Sequence, residues 1–170
     1  MSQIFAQAAG IVSVKYDMTI TAPGTPTTTA KVWLEKNKMR TEFTAEGQTV
    51  VQLVDMDVRT MYMYIPAENM AMKMDFSQAP EAPTQNIEEY KPVVIGTETL
   101  DGKVCLVVEY TDEGTKTKSW MWKEKGFPIR VEMATPEGTT VMEFKNIEFA
   151  DIPDSMFELP AGVQIVQMPG

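Results

Sequence analysis

The sequence contains no histidine and only one cysteine in 170 residues. Because imidazole is missing, most designs of metal site and every Ser-His or Cys-His nucleophile pair are excluded. A single cysteine also excludes a disulfide within the chain. No apolar run approaches the roughly 18 residues of a membrane-spanning helix. The N-terminal segment MSQIFAQAAG has neither a basic region nor an apolar run of signal-peptide length, so we expect no leader in this chain.

Basic residues are in the minority. Lys and Arg total 15 against 24 Asp and Glu, which gives a formal net charge of −9. Nucleic acids and anionic membrane surfaces need clustered Lys and Arg, so neither is expected as the main partner. An apolar fraction of 44% and a charged fraction of 23% are typical of a globular chain. The length favours one domain over residues 1–170.

Methionine is abundant, with 14 residues, whereas leucine occurs only five times. Two interpretations are open. In one, methionine replaces leucine as the filler of an ordinary core. In the other, its flexible and polarizable side chains form a soft apolar surface that adapts to a ligand.

Strand patterns cover most of the chain. Residues 11–21 alternate between apolar and polar side chains, which is typical of a half-buried strand. Similar runs follow at 30–35, 38–45, 48–55, 58–65, 69–76, 91–100, 103–111, 115–123, 128–135 and 139–149. About eleven antiparallel strands are therefore predicted, which favours a barrel, a strongly curved sheet or a sandwich.

The breaks between these runs predict turns, and one break is longer. Lys36-Asn37, Glu46-Gly47, Met56-Asp57 and Asp101-Gly102 predict two-residue hairpin turns. Residues 77–90 hold two prolines and no alternation, so this segment is predicted to be a lid or a crossover, with a helical turn near 84–89. A short helix is predicted at 3–9, a helical turn at 153–157 and a last short strand near 163–166.

Six methionines lie between residues 56 and 74, and five of them occupy alternating positions of two predicted strands. Met61 and Met63 share one strand face, and Met70, Met72, Met74 and Phe76 share a face of the next strand. Tyr62 and Tyr64 take the opposite face of the first strand and make it amphipathic. Adjacent antiparallel strands would therefore present one methionine-rich face, as a ligand surface or as a self-filled core.

Catalytic and metal-binding patterns are weak. Asp55 and Asp57 flank a turn without a third ligand, and Glu88-Glu89 lie in the long break, so we expect no metal site. Cys105 lies among aliphatic residues and is interpreted as a small buried side chain. Neither a GxSxG nor a phosphate-binding glycine motif occurs. No catalytic residue and no cofactor are predicted.

The two tryptophans of one strand have two interpretations. Trp120 and Trp122 share a face with Lys116 and Lys118 on the strand predicted at 115–123. Two indoles beside two ammonium groups can form a partner-binding surface. They can equally be ordinary packing, with lysine stems lying along the rings.

Three stretches together resemble the LolA/LolB-like superfamily of periplasmic lipoprotein carriers. They are KVWLEKNKMRTEF (31–43), VVQLVDMDVRTMYMYIPAENMAMKM (50–74) and IPDSMFELPAGVQIV (152–166). The resemblance implies an incomplete antiparallel β-barrel with a short N-terminal helix and a lid, whose concave interior binds acyl chains. In the lipoprotein carriers an arginine tethers the lid, and Arg40 and Arg59 lie on the corresponding strands.

The main hypothesis is a monomeric, non-enzymatic protein, in the periplasm or lipid-anchored at the cell envelope, that binds a lipid, an acyl chain or a lipoprotein. Its predicted ligand-binding residues are Met61, Met63, Met70, Met72, Met74, Phe76, Tyr62 and Tyr64. The alternative is a structural or regulatory envelope protein with a self-filled core and no ligand. It would bind a protein partner, for instance through the face of Trp120 and Trp122.

Overall fold

The computed structural model describes residues 10–75, 90–112 and 114–167. They form strands almost throughout, with short 3-10 helices at Pro66–Glu68 and Asp154–Phe157. The strands are β1 (Ser13–Thr21), β2 (Thr28–Glu35), β3 (Lys38–Ala45), β4 (Gln48–Asp55), β5 (Thr60–Ile65), β6 (Met70–Asp75), β7 (Val93–Leu100), β8 (Lys103–Asp112), β9 (Thr115–Trp122), β10 (Phe127–Thr135), β11 (Gly138–Glu148) and β12 (Gln164–Gln167). The mainly-β prediction is therefore confirmed.

The twelve strands belong to one hydrogen-bonded sheet. Their order is β12-β6-β5-β4-β3-β2-β1-β11-β10-β9-β8-β7, and the sheet is not closed, as expected of an incomplete barrel. The twelfth strand pairs with β6 in parallel, which the sequence pattern did not predict. The helix predicted at 3–9 and the lid predicted at 77–90 lie outside the described residues, apart from Tyr90.

Two hairpin turns follow the predicted chemistry. Glu46 and Gly47 both have positive φ, 52° and 80°, and Asp101 and Gly102 have 48° and 72°. Two successive residues with positive φ give the turn whose twist matches that of the flanking strands. Glycine at the second position adopts this conformation without a Cβ clash.

The two-residue turn predicted at Met56-Asp57 is wrong, because β4 ends at Asp55 and β5 begins only at Thr60. The Asp55 Oδ1 atom accepts the backbone N–H groups of Asp57, at 2.9 Å, and Val58, at 3.3 Å. An aspartate that bonds the backbone two residues on forms an Asx turn, and this lengthens the connection.

The Cα positions cluster into two compact units. Unit 1 comprises residues 1–11, 18–28 and 83–145, and unit 2 comprises 12–17, 29–82 and 146–170. A single domain over 1–170 stays a prediction. In unit 1, Leu106 packs on the buried Val108 and Met121, and Phe127 meets Phe144 edge to face at 6.0 Å. In unit 2 the buried side chains include Val14, Val32, Val51, Leu53 and Ala71.

The C-terminal segment 150–167 is fastened to the strands of unit 2. Lys38 forms an ion pair with Asp154 at 3.3 Å, and the Ile152 N–H donates to the Glu35 carboxylate. Further along the chain, the Asn69 side chain donates to the Gly162 carbonyl at 2.9 Å. These contacts hold the segment through charge and backbone hydrogen bonds as well as apolar packing.

Arg40 makes a further attachment of this segment. Its Nε donates to Glu42 at 2.8 Å, its Nη1 donates to the Met156 carbonyl at 2.9 Å, and its guanidinium lies 5.8 Å from the Trp33 ring centroid. A planar fork of donors suits this simultaneous binding. In the described residues Arg40 thus tethers the C-terminal 3-10 helix.

A hairpin of unit 1 repeats this arrangement. Trp120 stands opposite Arg130 as Trp33 stands opposite Arg40, and in each case a glutamate two residues after the arginine accepts its Nε–H. The Nη1 atom of Arg130 faces the Glu143 carboxylate at 3.5 Å instead of a backbone carbonyl. Arg130 is therefore a natural control for the tethering role of Arg40.

Acid should selectively weaken the attachment at Glu35. Hydrogen bonds from the Ser13 hydroxyl and the Ile152 N–H lower the pKa of Glu35 below its ordinary 4.5. A carboxyl group whose pKa is lower in the folded than in the unfolded state stabilises the fold at pH values above its unfolded-state pKa. This stabilisation is lost as the pH falls through the folded-state pKa. Glu35→Gln should lower the urea midpoint of unfolding at about pH 7, and the two midpoints should converge at about pH 3. An equal difference at both pH values would contradict this assignment.

Arg40→Lys should loosen the C-terminal segment. Lysine keeps the charge but loses the planar fork, so we expect the free energy of unfolding to fall by about 1–3 kcal/mol. Limited proteolysis should then cut more rapidly between residues 150 and 167. Arg130→Lys is the matched control and should leave this cleavage rate unchanged. Equal acceleration by both variants would mean that Arg40 acts only on global stability.

Candidate functional site

Strands β5 and β6 bring the predicted methionines together. Met61 lies directly opposite Met74, and Met63 lies opposite Met72. Directly opposed residues of an antiparallel pair point to the same side of the sheet. The shared methionine-rich side predicted from the sequence is therefore present, and Met70 joins it opposite Ile65.

The same side continues across the neighbouring strands. We call it the methionine face and define it by the five predicted methionines, Ile65 and the residues that the register places beside them. Those residues are Ala30, Val32, Leu34, Met39, Thr41, Phe43, Val50, Gln52, Val54, Gln164 and Val166.

Burial varies over the methionine face. Val32 and Val50 are buried, whereas the five predicted methionines are only half-buried. Gln52 supplies a polar group among them, with its amide nitrogen 2.7 Å from the Met61 sulfur. The thioether is a weak acceptor, so this amide is only loosely satisfied. The result is an apolar surface of flexible side chains that keep part of their area accessible.

The two predicted tyrosines do not join the methionines. Tyr62 stands between Leu53 and Lys73, and Tyr64 stands between Val51 and Ala71, on the other side of the sheet. We call this side the tyrosine face. Both tyrosines are half-buried there, beside the buried Leu53 and Val51. Phe76, the eighth predicted site residue, lies outside the described residues.

A groove of about 340 Å³ opens on the tyrosine face. Its walls are Leu53, Val54, Asp55, Val58, Thr60, Tyr62, Lys73 and Phe157. The sequence pattern pointed to Tyr62 but missed the others, because Phe157 comes from a distant 3-10 helix and Val58 from the loop opened by the Asx turn. A second groove, of about 530 Å³, lies in unit 1 and is lined by Gly102, Lys103, Val104, Trp122, Lys123 and Glu124. Of the residues of the methionine face, Val54 lines the first groove, and none lines the second.

Trp120 does not present an open binding surface. Its side chain is 5% exposed, its Nε1 donates to Glu98 at 2.8 Å, and Lys118 lies 4.4 Å from its ring centroid. Trp122 is half-buried, with Lys103 at 5.3 Å. The packing interpretation is thus confirmed for Trp120, and a partner surface centred on it is wrong.

The remaining chemical groups have structural roles. Cys105 is fully buried, as expected, and burial raises the pKa of its thiol, so the reactive thiolate is disfavoured. Asp55 and Asp57 are engaged by backbone and by Asn37, respectively. Within residues 10–75, 90–112 and 114–167, no group of three Asp, Glu or Cys is arranged to hold a metal. The same ranges hold no helix that is long and apolar enough to cross a membrane.

Comparison with solved structures finds the same fold in several proteins. An uncharacterized conserved protein from Thermus thermophilus is 12% identical, with a TM-score of 0.71 and 98% of each chain covered. LprF from Mycobacterium bovis is 11% identical, with a TM-score of 0.57 and coverage of 95% of this chain and 96% of LprF.

MucB is a third structure of this kind. In the Pseudomonas aeruginosa MucA/MucB complex it is 14% identical to this chain, with a TM-score of 0.57, and 98% of this chain aligns with 64% of the MucB chain. The chain thus spans about two thirds of MucB. No curated protein matches the sequence.

The fold is that of the LolA/LolB-like superfamily, so the resemblance seen in the sequence is confirmed. A family model matches residues 15–126 and 114–163, which together span most of the chain. The chain therefore belongs to the family described as Domain of unknown function (DUF4412).

Proposed function

We propose that this protein is a non-enzymatic, extracytoplasmic binding protein whose methionine face holds a hydrophobic ligand. The ligand class is a lipid, an acyl chain or the acyl groups of a lipoprotein. The observation that carries the proposal is the register of β5 and β6, which places Met61 directly opposite Met74 and Met63 directly opposite Met72. Half-buried methionines in matched pairs are a surface that is already desolvated in part and still deformable.

Binding on this face would depend on shape tolerance and burial. Methionine has no branch and three rotatable bonds, so neighbouring side chains can move to follow a flexible alkyl chain. Each methylene removed from water contributes about 0.8 kcal/mol. Gln52 adds an amide donor whose present acceptor is the weak Met61 sulfur, and an ester carbonyl is a stronger acceptor.

Other features support the location and the absence of catalysis. The LolA/LolB-like fold belongs to a superfamily that includes periplasmic carriers, which favours a site of action outside the cytoplasm. The sequence has no histidine, and the one thiol is buried with a raised pKa. A binding role needs neither group.

Paired substitutions on the methionine face test the proposal. The double variant Met63→Gln, Met72→Gln keeps the length of both side chains but adds two amides. We therefore expect the affinity for lipid to fall at least about tenfold per substitution, and the amount of co-purified lipid to fall with it. Met63→Leu, Met72→Leu is the matched control, because it conserves volume and apolarity and should retain lipid. Native mass spectrometry and lipid extraction of protein purified from envelope fractions measure the bound lipid.

Thermal unfolding of both double variants separates loss of binding from loss of fold. The proposal requires the Gln variant to remain folded, and the wild type to gain affinity about fourfold per added methylene in a series of fluorescent fatty acids. A wild type that carries no lipid and takes up none of these probes would overturn it.

A second candidate function is the binding of an extended protein segment at the end of the sheet. Strand β7 is the last strand in the order, and Val93 and Ile95 are 60% and 50% exposed. An edge strand offers unpaired backbone groups to a partner strand. The register shift between Val94 and Gly96 limits this pairing to part of the strand.

A photo-crosslinking side chain distinguishes this candidate. Placed at position 95, it should capture a defined partner in cells, whereas the same group at Val104, which is 48% exposed on β8, should not. The position-95 adduct should be lost in a Val93→Lys background, while lipid retention stays unchanged because β7 contributes nothing to the methionine face. Equal capture at both positions would reject an edge-specific interaction.

A further inference from the structure

Lys73 differs from the other lysines of unit 2. Lys15, Lys31, Lys36 and Lys38 each lie within 4.0 Å of a carboxylate oxygen. Lys73 has no ion pair among the residues that the structure describes, although acidic residues outnumber basic ones in the chain. Its ammonium group is instead 6.0 Å from the centroid of the Tyr62 ring. Lys73 is thus a half-buried residue whose charge has no carboxylate partner among the described residues.

The groove of the tyrosine face surrounds that charge with apolar walls. Leu53 lies in its floor, and Tyr62, Val58 and Phe157 line it. Val58 is 64% exposed and therefore keeps apolar area available at the rim of the groove. The volume of about 340 Å³ lies at the low end of the range for small-molecule sites. It therefore suits a short amphiphile and is too small for a lipid with two long chains.

Asp55 makes the two ends of the groove electrostatically different. Its Oδ1 is already engaged by two backbone N–H groups at the loop end, so its negative charge is fixed there. Asp55 on β4 pairs with Thr60 of β5, whereas Lys73 on β6 pairs with Tyr62 of β5. Asp55 and Lys73 are therefore offset by two residues along the strands. A bound anion is repelled from the loop end and attracted to the ammonium group.

We propose that the groove on the tyrosine face binds a short-chain apolar carboxylate, with its carboxylate on Lys73 and its chain against Leu53, Val58 and Phe157. Tyr62 lines the groove together with Lys73. This site is distinct from the methionine pairs, because Leu53, Tyr62 and Lys73 lie on the opposite side of β4, β5 and β6, and the two surfaces share only Val54. The two sites can therefore be tested independently.

Octanoate is the probe, and octanol is its uncharged counterpart. Isothermal titration should show octanoate binding to the wild type and at least about tenfold weaker binding of octanol, because a charge-assisted hydrogen bond is lost. Lys73→Gln should weaken octanoate about tenfold and leave octanol unchanged. In two-dimensional amide NMR, octanoate should shift the signals of Val58, Lys73 and Phe157.

Matched variants locate the probe. Lys31→Gln removes another lysine of the tyrosine face that lies outside the groove, and it should leave octanoate affinity unchanged. Met63→Gln, Met72→Gln should also leave it unchanged, whereas Lys73→Gln should leave lipid retention on the methionine face intact. The inference is overturned if octanol binds as well as octanoate, if Lys73→Gln has no effect, or if the methionine variant abolishes octanoate binding.

Discussion

The separation of two chemically different sheet faces depends on the antiparallel register of β4, β5 and β6. Met61 pairs with Val54 on one side and with Met74 on the other, while Tyr62 pairs with Leu53 and Lys73. Successive side chains of a strand point to opposite faces, so a slip of one residue would exchange the whole methionine set with the tyrosine set. Both proposed binding surfaces therefore rest on the same ladder of backbone hydrogen bonds.

The C-terminal segment meets both faces: its strand β12 places Gln164 and Val166 beside Met70 and Met72, and its 3-10 helix lies beside the tyrosine face. Arg40, Lys38 and Glu35 fasten it beside the tyrosine face, where Phe157 then completes a groove. The methionine face has no part in the contacts of Arg40, Lys38 and Glu35, and its five methionines stay half-buried. A single open sheet can thus present a deformable apolar surface on one side and a small charged groove on the other, each with its own physical basis for selectivity.

The comparisons agree with this picture at the level of fold. Proteins that share only 11–14% of their residues with this chain keep the same arrangement of strands. Alternating strands and tight turns are compatible with many side chains, so the fold can be shared at such low identity. A methionine-rich ladder belongs to the side chains of this sequence, and binding specificity follows from such side chains more than from the fold.

Local chemistry made much of the architecture predictable, and long-range contacts settled the rest. The period of two, with Glu46-Gly47 and Asp101-Gly102 at the turns, gave most strand bounds to within two residues and placed the methionines on one face. The loop at 56–59 was missed because the Asp55 side chain competes for backbone N–H groups. The parallel pairing of β12 with β6 was missed because it joins segments far apart in the chain and needs no local signal.

Composition and neighbouring residues were enough to establish the strand periodicity, the acidic charge and the lack of imidazole chemistry. Folding was needed to bury Trp120, to bring Arg40 to the Met156 carbonyl and to place Phe157 with Val58 and Lys73 in one groove. Those contacts join residues from separate strands and loops, and their energies depend on distance and burial, which a linear pattern does not contain.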